Sequence, residues 1–140
     1  MTITAAYGGG SAFVPLAVTR TAEATASFGV TGPHETETCE MANDNTINCT
    51  FNGSTSASPG TITEWDWSFG VAKTFKQTTS SPVLSMPATD CSLLPPPPLP
   101  AGATWLMMTV KLTIRDSLGN VSAEAADNGV RLIPNGACGY

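Results

Sequence analysis

The chain has 140 residues, a length that fits one domain built around one hydrophobic core. Only 12% of its residues are charged and its net charge is -5, so the chain offers no basic surface for nucleic-acid phosphates or for an anionic membrane. Hydrophobic residues make up 41% of the chain, which excludes a wholly disordered chain and suffices for a packed domain rich in strands.

Residues 1–22 read MTITAAYGGGSAFVPLAVTRTA and predict an extended N-terminal arm outside the main domain. Three glycines, Gly8–Gly10, interrupt the segment, and the alternating apolar residues after them predict one short strand. Those alternating residues are Val14, Leu16 and Val18. An apolar strand of this kind can complete its own sheet, or it can add to the sheet edge of a neighbouring copy and build an oligomer.

Residues 23–70 contain three stretches in which apolar and polar residues alternate, the pattern of a half-buried strand. These stretches read ATASFGV, TINCTF and TITEWDWSFG, and turn-forming residues separate them. In the third stretch, a period of two sends Trp65 and its alternate neighbours to one face, and it sends Glu64 and Asp66 to water. The predicted core aromatic residues are Phe28, Phe51, Trp67 and Phe69.

Residues 71–103 break this rhythm and predict a long, irregular insert that is rich in proline. Four consecutive prolines, Pro95–Pro98, prevent sheet pairing and favour a polyproline II segment. The longest regular strand follows and reads TWLMMTVKLTIRD, with one apolar face. The residues of that predicted core face are Leu106, Met108, Val110, Leu112 and Ile114.

The last part of the chain predicts a hairpin. Its turn reads DSLGN over Asp116–Asn120, where Gly119 can adopt a positive φ. The returning strand runs over Val121–Ala125 and again over Val130–Ile133, with a bulge between the two parts. With about seven strands and no convincing helix, residues 23–140 predict an all-β, two-sheet sandwich.

The chain has four cysteines, an even number, and no Cys-x-x-Cys pair or suitably spaced histidine indicates a zinc site. Four cysteines allow three disulfide connectivities. The ten-residue separation of Cys39 and Cys49 suits two ends of a hairpin, so we favour that pair. Cys91 then pairs with Cys138. Disulfides persist in oxidising compartments, so an extracellular or cell-surface location is expected, with reduced, buried thiols as the alternative.

The first 20 residues contain neither a basic start nor a continuous apolar run, so no signal peptide is visible. No stretch approaches the about 18 apolar residues that cross a bilayer, so membrane insertion is not expected. Export is therefore inferred from the cysteines. Either the leader is absent from this chain, or the protein leaves the cell by another route, as a virion component would.

The stretches ATASFGVTGP, CTFNGSTSASPGTITEWDWSFG and VKLTIRDSLGNVSAEA together place predicted strands and turns at a characteristic spacing. That spacing resembles the polycystic kidney disease (PKD) repeat, an immunoglobulin-like sandwich of bacterial extracellular proteins. The resemblance covers Ala24–Gly70 and Thr109–Ala126. It implies these roles: Trp67 as the core tryptophan, Phe69 and Gly70 as its companions, and Asp116 with Gly119 as the closing turn.

The chain also departs from that family. Acidic residues that family members carry near the third strand are replaced here by residues 57–59 and by Ser68, so the family's calcium site is not expected. The insert at 71–103 replaces a short connection, and residues 1–22 lie outside the resemblance.

The sequence contains no catalytic constellation, so we do not expect an enzyme, and no cofactor is expected. His34 has no nucleophile motif near it and is interpreted as a solvated loop residue. Glu64 and Asp66 share a strand face, whereas glycoside hydrolysis needs two carboxylates that flank a cleft. A solvated acidic loop is also favoured over a calcium site for four residues with irregular spacing. These weak calcium candidates are Glu35, Glu37, Glu40 and Asp44.

These observations favour a non-catalytic extracellular structural or adhesive subunit, whose N-terminal arm could build a homo-oligomer or bind another extracellular protein. One alternative is a carbohydrate-binding accessory module of a secreted hydrolase, which would bind polysaccharide through a planar row of exposed aromatic residues. The candidates for that row are Trp105, Tyr7 and, if its face is outside, Trp65. A virion surface or tail component is a third possibility.

Overall fold

The computed structural model describes residues 2–6, 13–17 and 23–140, the first two ranges as backbone strands. Within those residues the regular structure consists of strands and two three-residue 3-10 helices, Cys91–Leu93 and Gly136–Cys138, so the predicted all-β class is confirmed. The strands are β1 (Thr2–Ala6), β2 (Phe13–Ala17), β3 (Gly29–Thr31), β4 (Thr38–Met41), β5 (Ile47–Asn48), β6 (Thr50–Asn52), β7 (Ile62–Gly70), β8 (Thr74–Thr79), β9 (Val83–Ser85), β10 (Leu106–Asp116) and β11 (Ala125–Ile133).

Strands β3 to β11 form two sheets, which together we call the body. One sheet has six strands in the order β5-β4-β11-β10-β7-β8, and the other has three in the order β3-β6-β9. Neighbouring strands are antiparallel, except that β4 and β11 run parallel. Both sheets contribute side chains to one hydrophobic core, as a two-sheet sandwich requires.

The centre of the core is built by β7 and β10, which pair over most of their length. Both strands alternate apolar and polar residues, so one face of each turns inward. Trp67 lies opposite Leu112 in the pairing, and Phe69 lies opposite Val110. The buried residues of the two strands include Trp65, Trp67, Phe69, Leu106, Met108, Val110, Leu112 and Ile114.

Aromatic rings connect the two sheets. The ring of Phe51, on β6, lies 4.8 Å from the ring of Phe69 and 6.1 Å from Trp67, measured between centroids. Phe28 approaches Trp67 edge-on at 5.6 Å and is only partly buried. Edge-on and offset ring pairs of this kind stabilise a core beyond the area that they bury. Phe28 therefore covers one side of the core, and Phe51 lies inside it.

The prediction of a wholly irregular insert at 71–103 is wrong for its first part, because β8 and β9 lie inside it. Strand β8 folds back antiparallel on β7, and β9 pairs with β6 in the other sheet. In β8, Phe75 and Gln77 turn inward and alternate with exposed residues, as expected for a strand at the sheet surface. Its Thr and Phe residues are of the types that favour strands. The proline run, Pro95–Pro98, lies outside every strand, as predicted.

The stretch TINCTF was predicted as one strand, but the structure divides it between the two sheets at Cys49. Strand β5 forms a hairpin with β4, whereas β6 pairs with β3 and β9. Ile47, Cys49 and Phe51 are all buried, because both sheets face the same core. The alternation in the sequence is therefore retained across the change of sheet.

Both disulfides have the connectivity that the cysteine spacing favours. Cys39 and Cys49 are bonded, with 5.2 Å between their Cα atoms, and both are buried beside the β4–β5 hairpin. Cys91 and Cys138 are bonded, with 5.3 Å between their Cα atoms. The second bond ties the segment that follows β9 to the end of the chain, and it closes a loop of 47 residues.

The C-terminal hairpin has the predicted turn and bulge, but its returning strand begins only at Ala125. The predicted strand over residues 121–124 is wrong, because Val121 and Ala123 make only isolated bridges there. Gly119 has a φ of 84°, which an L-residue with a side chain rarely adopts. The pairing of β10 with β11 shifts register at a bulge. Met108 lies opposite Val130 and Val110 lies opposite Asp127, so two residues of β11 face one residue of β10 between these pairs.

The N-terminal arm contains two strands, so the prediction of a single strand there is wrong. β1 and β2 pair antiparallel as a two-stranded sheet of their own, with Thr2 opposite Ala17 and Ala6 opposite Phe13. Val14 and Leu16 belong to β2, although the structure does not describe their side chains, and Val18 lies outside the described residues.

Candidate functional site

The four weak calcium candidates do not converge on one point. The Nε2 atom of His34 lies 3.3 Å from the carboxylate of Glu40; the His34 side chain is exposed, and that of Glu40 is partly exposed. The carboxylate of Asp44 accepts hydrogen bonds from the hydroxyl and the N–H of Thr46, at 2.7 and 3.1 Å, which lower its pKa. Glu35 and Glu37 are exposed. In the part of the chain that the structure describes, no three His, Cys, Asp or Glu residues are grouped to hold a metal ion.

The most highly connected carboxylate is that of Asp116, at the end of β10. It is buried, and it accepts hydrogen bonds from the backbone N–H groups of Gly60, Leu118 and Asn120 at 2.8 to 3.0 Å. The hydroxyl of Ser58 and the side-chain amide of Asn120 also donate to it. Burial raises the pKa of Asp116, but the bonds from Asn120, Ser58 and Gly60 together lower it well below its usual range.

This arrangement gives Asp116 a structural role. Its carboxylate closes the β10–β11 turn and also holds the loop before β7 through the N–H of Gly60. The two groups are so close that a Cβ added to Gly60 would lie only 2.9 Å from the carboxylate. The resemblance to the PKD repeat implied only the turn, so the link to Ser58 and Gly60 was missed. A carboxylate whose lone pairs accept five hydrogen bonds is positioned for stability and is poorly placed as a base.

The outer face of the six-stranded sheet is polar. A shallow depression of about 520 Å³ lies over β7, β8 and β10. In it, Lys111 forms an ion pair with Glu124 at 2.8 Å, and the hydroxyl of Thr78 donates to Asp66 at 2.5 Å. Asp66 therefore faces water, as predicted, and takes part in a cross-strand contact. A third pair, between Arg115 and Glu64 at 3.6 Å, joins β10 to β7 on the same face.

The three aromatic candidates for polysaccharide binding do not form a row in the described residues. Trp65 is buried, with only 7% of its surface exposed, because its face of β7 turns into the core. Tyr7 lies outside the described residues. Trp105 is 36% exposed, and the guanidinium of Arg131 lies 5.3 Å from the centre of its ring. Met107 beside it is 52% exposed, so this end of the sheet has a small apolar patch.

The free edge of the six-stranded sheet is the candidate site for assembly. Strand β8 is outermost in that sheet, so its alternate N–H and C=O groups point away from β7, and no described strand pairs with that side. Phe75 stacks on Phe69 with 4.8 Å between ring centroids and is only partly buried. The edge thus combines unpaired backbone groups with a partly exposed aromatic ring.

The sequence prediction missed this edge because it placed residues 71–103 in an irregular insert. The signal was present in TFKQTT, where Thr and Phe favour a strand. The sequence did indicate the other half of such a site, the apolar arm of residues 1–22.

Comparison of the chain with family models, with curated proteins and with solved structures finds no match. Among the described residues, no helix has the length and hydropathy that crossing a bilayer would require.

Proposed function

We propose that this chain is a non-catalytic, extracellular structural or adhesive subunit that assembles with other copies through residues 1–22. Its body is an immunoglobulin-like sandwich of the PKD type, braced by two disulfides. The proposal combines the fold of the body, the chemistry of its cysteines and the separate pairing of the arm.

The immunoglobulin-like assignment is supported by strand order. Three strands, β3, β6 and β9, correspond in order and pairing to the first, second and fifth strands of an immunoglobulin-like sandwich. On the opposite sheet, the neighbours β11, β10 and β7 correspond to its last, sixth and third strands, with β8 as an added edge strand. The parallel pairing of β4 with β11 continues that sheet after the chain leaves β3.

An oxidising location is supported by the two disulfides, because such bonds persist in secreted and surface-displayed proteins and are rare in reducing compartments. All four cysteines of the chain take part in them. The net charge of -5 supports a protein or polysaccharide partner over nucleic acid.

The pairing of β1 with β2 carries the assembly proposal. The two strands form a sheet of their own, with five residues each, and neither belongs to the sheets of the body. A single two-stranded hairpin is marginally stable in water, so it gains most from a third strand or from packing on another surface. Residues 1–19 contain no charged side chain to oppose such an association.

The experiment is to measure the mass of the purified, oxidised chain in solution and to compare it with the mass of a chain that lacks residues 1–22. Both sheets of the body lie outside that segment, so the shorter chain retains every strand pairing of the body. We expect oligomers for the intact chain and monomers for the shorter one, by light scattering coupled to size exclusion. Two strictly monomeric chains would remove the proposal.

A carbohydrate-binding accessory module is the second candidate, and the exposed Trp105 beside Met107 is the observation that favours it. The test is retention of the chain on insoluble polysaccharides. Retention that is lost in Trp105→Ala, but not in Val121→Ala, another exposed apolar position, would place this function first.

A further inference from the structure

We propose that the free edge of β8 receives β1 of a second copy, so that the six-stranded sheet of one chain continues into the hairpin of the next. This inference rests on the proposed assembly through residues 1–22, and it names the surface on the second copy that the arm binds. Addition of a strand to a sheet edge satisfies backbone groups of both strands and needs no cavity.

The lengths of the edge strands select β8. The edges of the body are β5 and β8 in one sheet and β3 and β9 in the other. Strand β5 has two residues, and β3 and β9 have three each, whereas β8 has six. A five-residue strand such as β1 can pair along its full length only with β8.

The hairpin has two free edges, and proline distinguishes them. Pro15 lies in the middle of β2, opposite Thr4 of β1. Proline has no N–H, and in strands it occurs where its nitrogen faces away from the neighbouring strand. The free edge of β2 therefore lacks a donor at its centre. Strand β1 reads Thr-Ile-Thr-Ala-Ala and retains every donor, so β1 is the strand that adds.

Charge also selects this pairing over the simplest competitor, two β8 strands pairing with each other. Lys76 lies in the middle of β8, is exposed and lines the polar outer face. Antiparallel pairing of two copies of β8 would bring the two Lys76 side chains close together, which is unfavourable. Strand β1 carries no charge, so it avoids this repulsion. An added strand would also cover the partly exposed ring of Phe75.

Hydrogen exchange of backbone amides tests the acceptor edge directly. The intact chain is compared with the full-length variant Ile3→Pro/Thr4→Pro, in which adjacent prolines remove donors on both sides of β1. We expect the outward amides of residues 74–79 to exchange at least about tenfold more slowly in the assembled chain than in the variant. The edge strand at 83–85 should exchange equally in both.

A charge exchange tests the contact independently of backbone damage. Lysine is placed on either face of β1 by Thr4→Lys or Ala5→Lys, and one of these should lie beside Lys76. That variant should raise the dissociation constant by about two- to fivefold, and Lys76→Glu should restore it. Lys73→Glu is the matched control, because Lys73 is exposed just before β8, and it should restore nothing.

The outcomes separate the two proposals. If the intact chain is monomeric, both the assembly and the β8 edge are wrong. If it assembles through residues 1–22 but the exchange of residues 74–79 is unchanged, or Lys73→Glu rescues as well as Lys76→Glu, the β8 edge is wrong and the assembly stands. Slowed exchange at 74–79 together with selective rescue supports both.

Discussion

The two buried tryptophans of β7 lie on the same face of one strand but differ in one hydrogen bond. The indole Nε1 of Trp65 donates to the carbonyl of Gly53 at 3.4 Å, whereas the Nε1 of Trp67 has no hydrogen-bond partner among the described residues. Trp67 is the more deeply buried of the two, at 1% exposed against 7%. Replacing each with phenylalanine therefore removes a useful bond in one case and an unpaired donor in the other.

We expect Trp65→Phe to destabilise the fold more than Trp67→Phe, although Trp67 is the more deeply buried residue. A phenylalanine ring buries about 50 Å² less than an indole, which costs about 1.3 kcal/mol at about 25 cal/mol per Å². Trp65→Phe also loses a bond worth about 1 kcal/mol, although the Gly53 carbonyl still accepts from Ser56, so the total is about 2 kcal/mol. Trp67→Phe removes an unpaired buried N–H that costs about 1–3 kcal/mol, so its net effect lies near zero or is stabilising.

Urea denaturation followed by circular dichroism, on the oxidised protein, measures both changes in the free energy of unfolding. Trp67→Ala is the control for packing and should cost about 3–5 kcal/mol, because the ring lies against Phe28, Phe51 and Phe69. If Trp67→Phe lowers the free energy of unfolding as much as Trp65→Phe, or more, the reasoning is refuted, since the indole N–H of Trp67 would then have to be paired.

Three other predictions concern the parts that hold the body together. Replacing both Cys91 and Cys138 with serine opens a loop of 47 residues and should lower the free energy of unfolding by up to about 4 kcal/mol, measured by urea denaturation with and without the bond. Because the folded pKa of Asp116 is lowered, its ionised form stabilises the fold above about pH 4, and that stabilisation is lost as the pH falls below that value. At pH values below about 4, the urea concentration at the unfolding midpoint should therefore decrease more steeply with falling pH for the parent than for Asp116→Asn. Equal slopes of midpoint against pH would contradict this. Gly60→Ala places a Cβ 2.9 Å from the Asp116 carboxylate and should cost about 1–3 kcal/mol by thermal unfolding, whereas Gly29→Ala, with open space around it, should cost less.

The parts of the fold that the sequence predicted are those in which local pattern and burial agree. Alternation around Trp67 and from Leu106 to Ile114 identifies a buried face, because a strand sends alternate side chains to opposite sides. The hairpin turn at Gly119 follows from local backbone chemistry. The cysteine pairing follows from separation along the chain.

The parts that the sequence did not predict depend on contacts between distant residues. The division of Ile47–Phe51 between two sheets is invisible to a period of two, because both halves bury the same alternate residues. Strand β8 was missed, because the proline run after it suggested that all of 71–103 was irregular. Its position at a sheet edge is set by the order of six strands and could not be read from six residues.

Electron cryomicroscopy of the assembled, intact chain tests the central claim most directly. We expect residues 2–6 of one copy to run beside residues 74–79 of the next as an added strand of its six-stranded sheet. Copies that meet through other surfaces, with residues 2–6 away from every sheet edge, would contradict it.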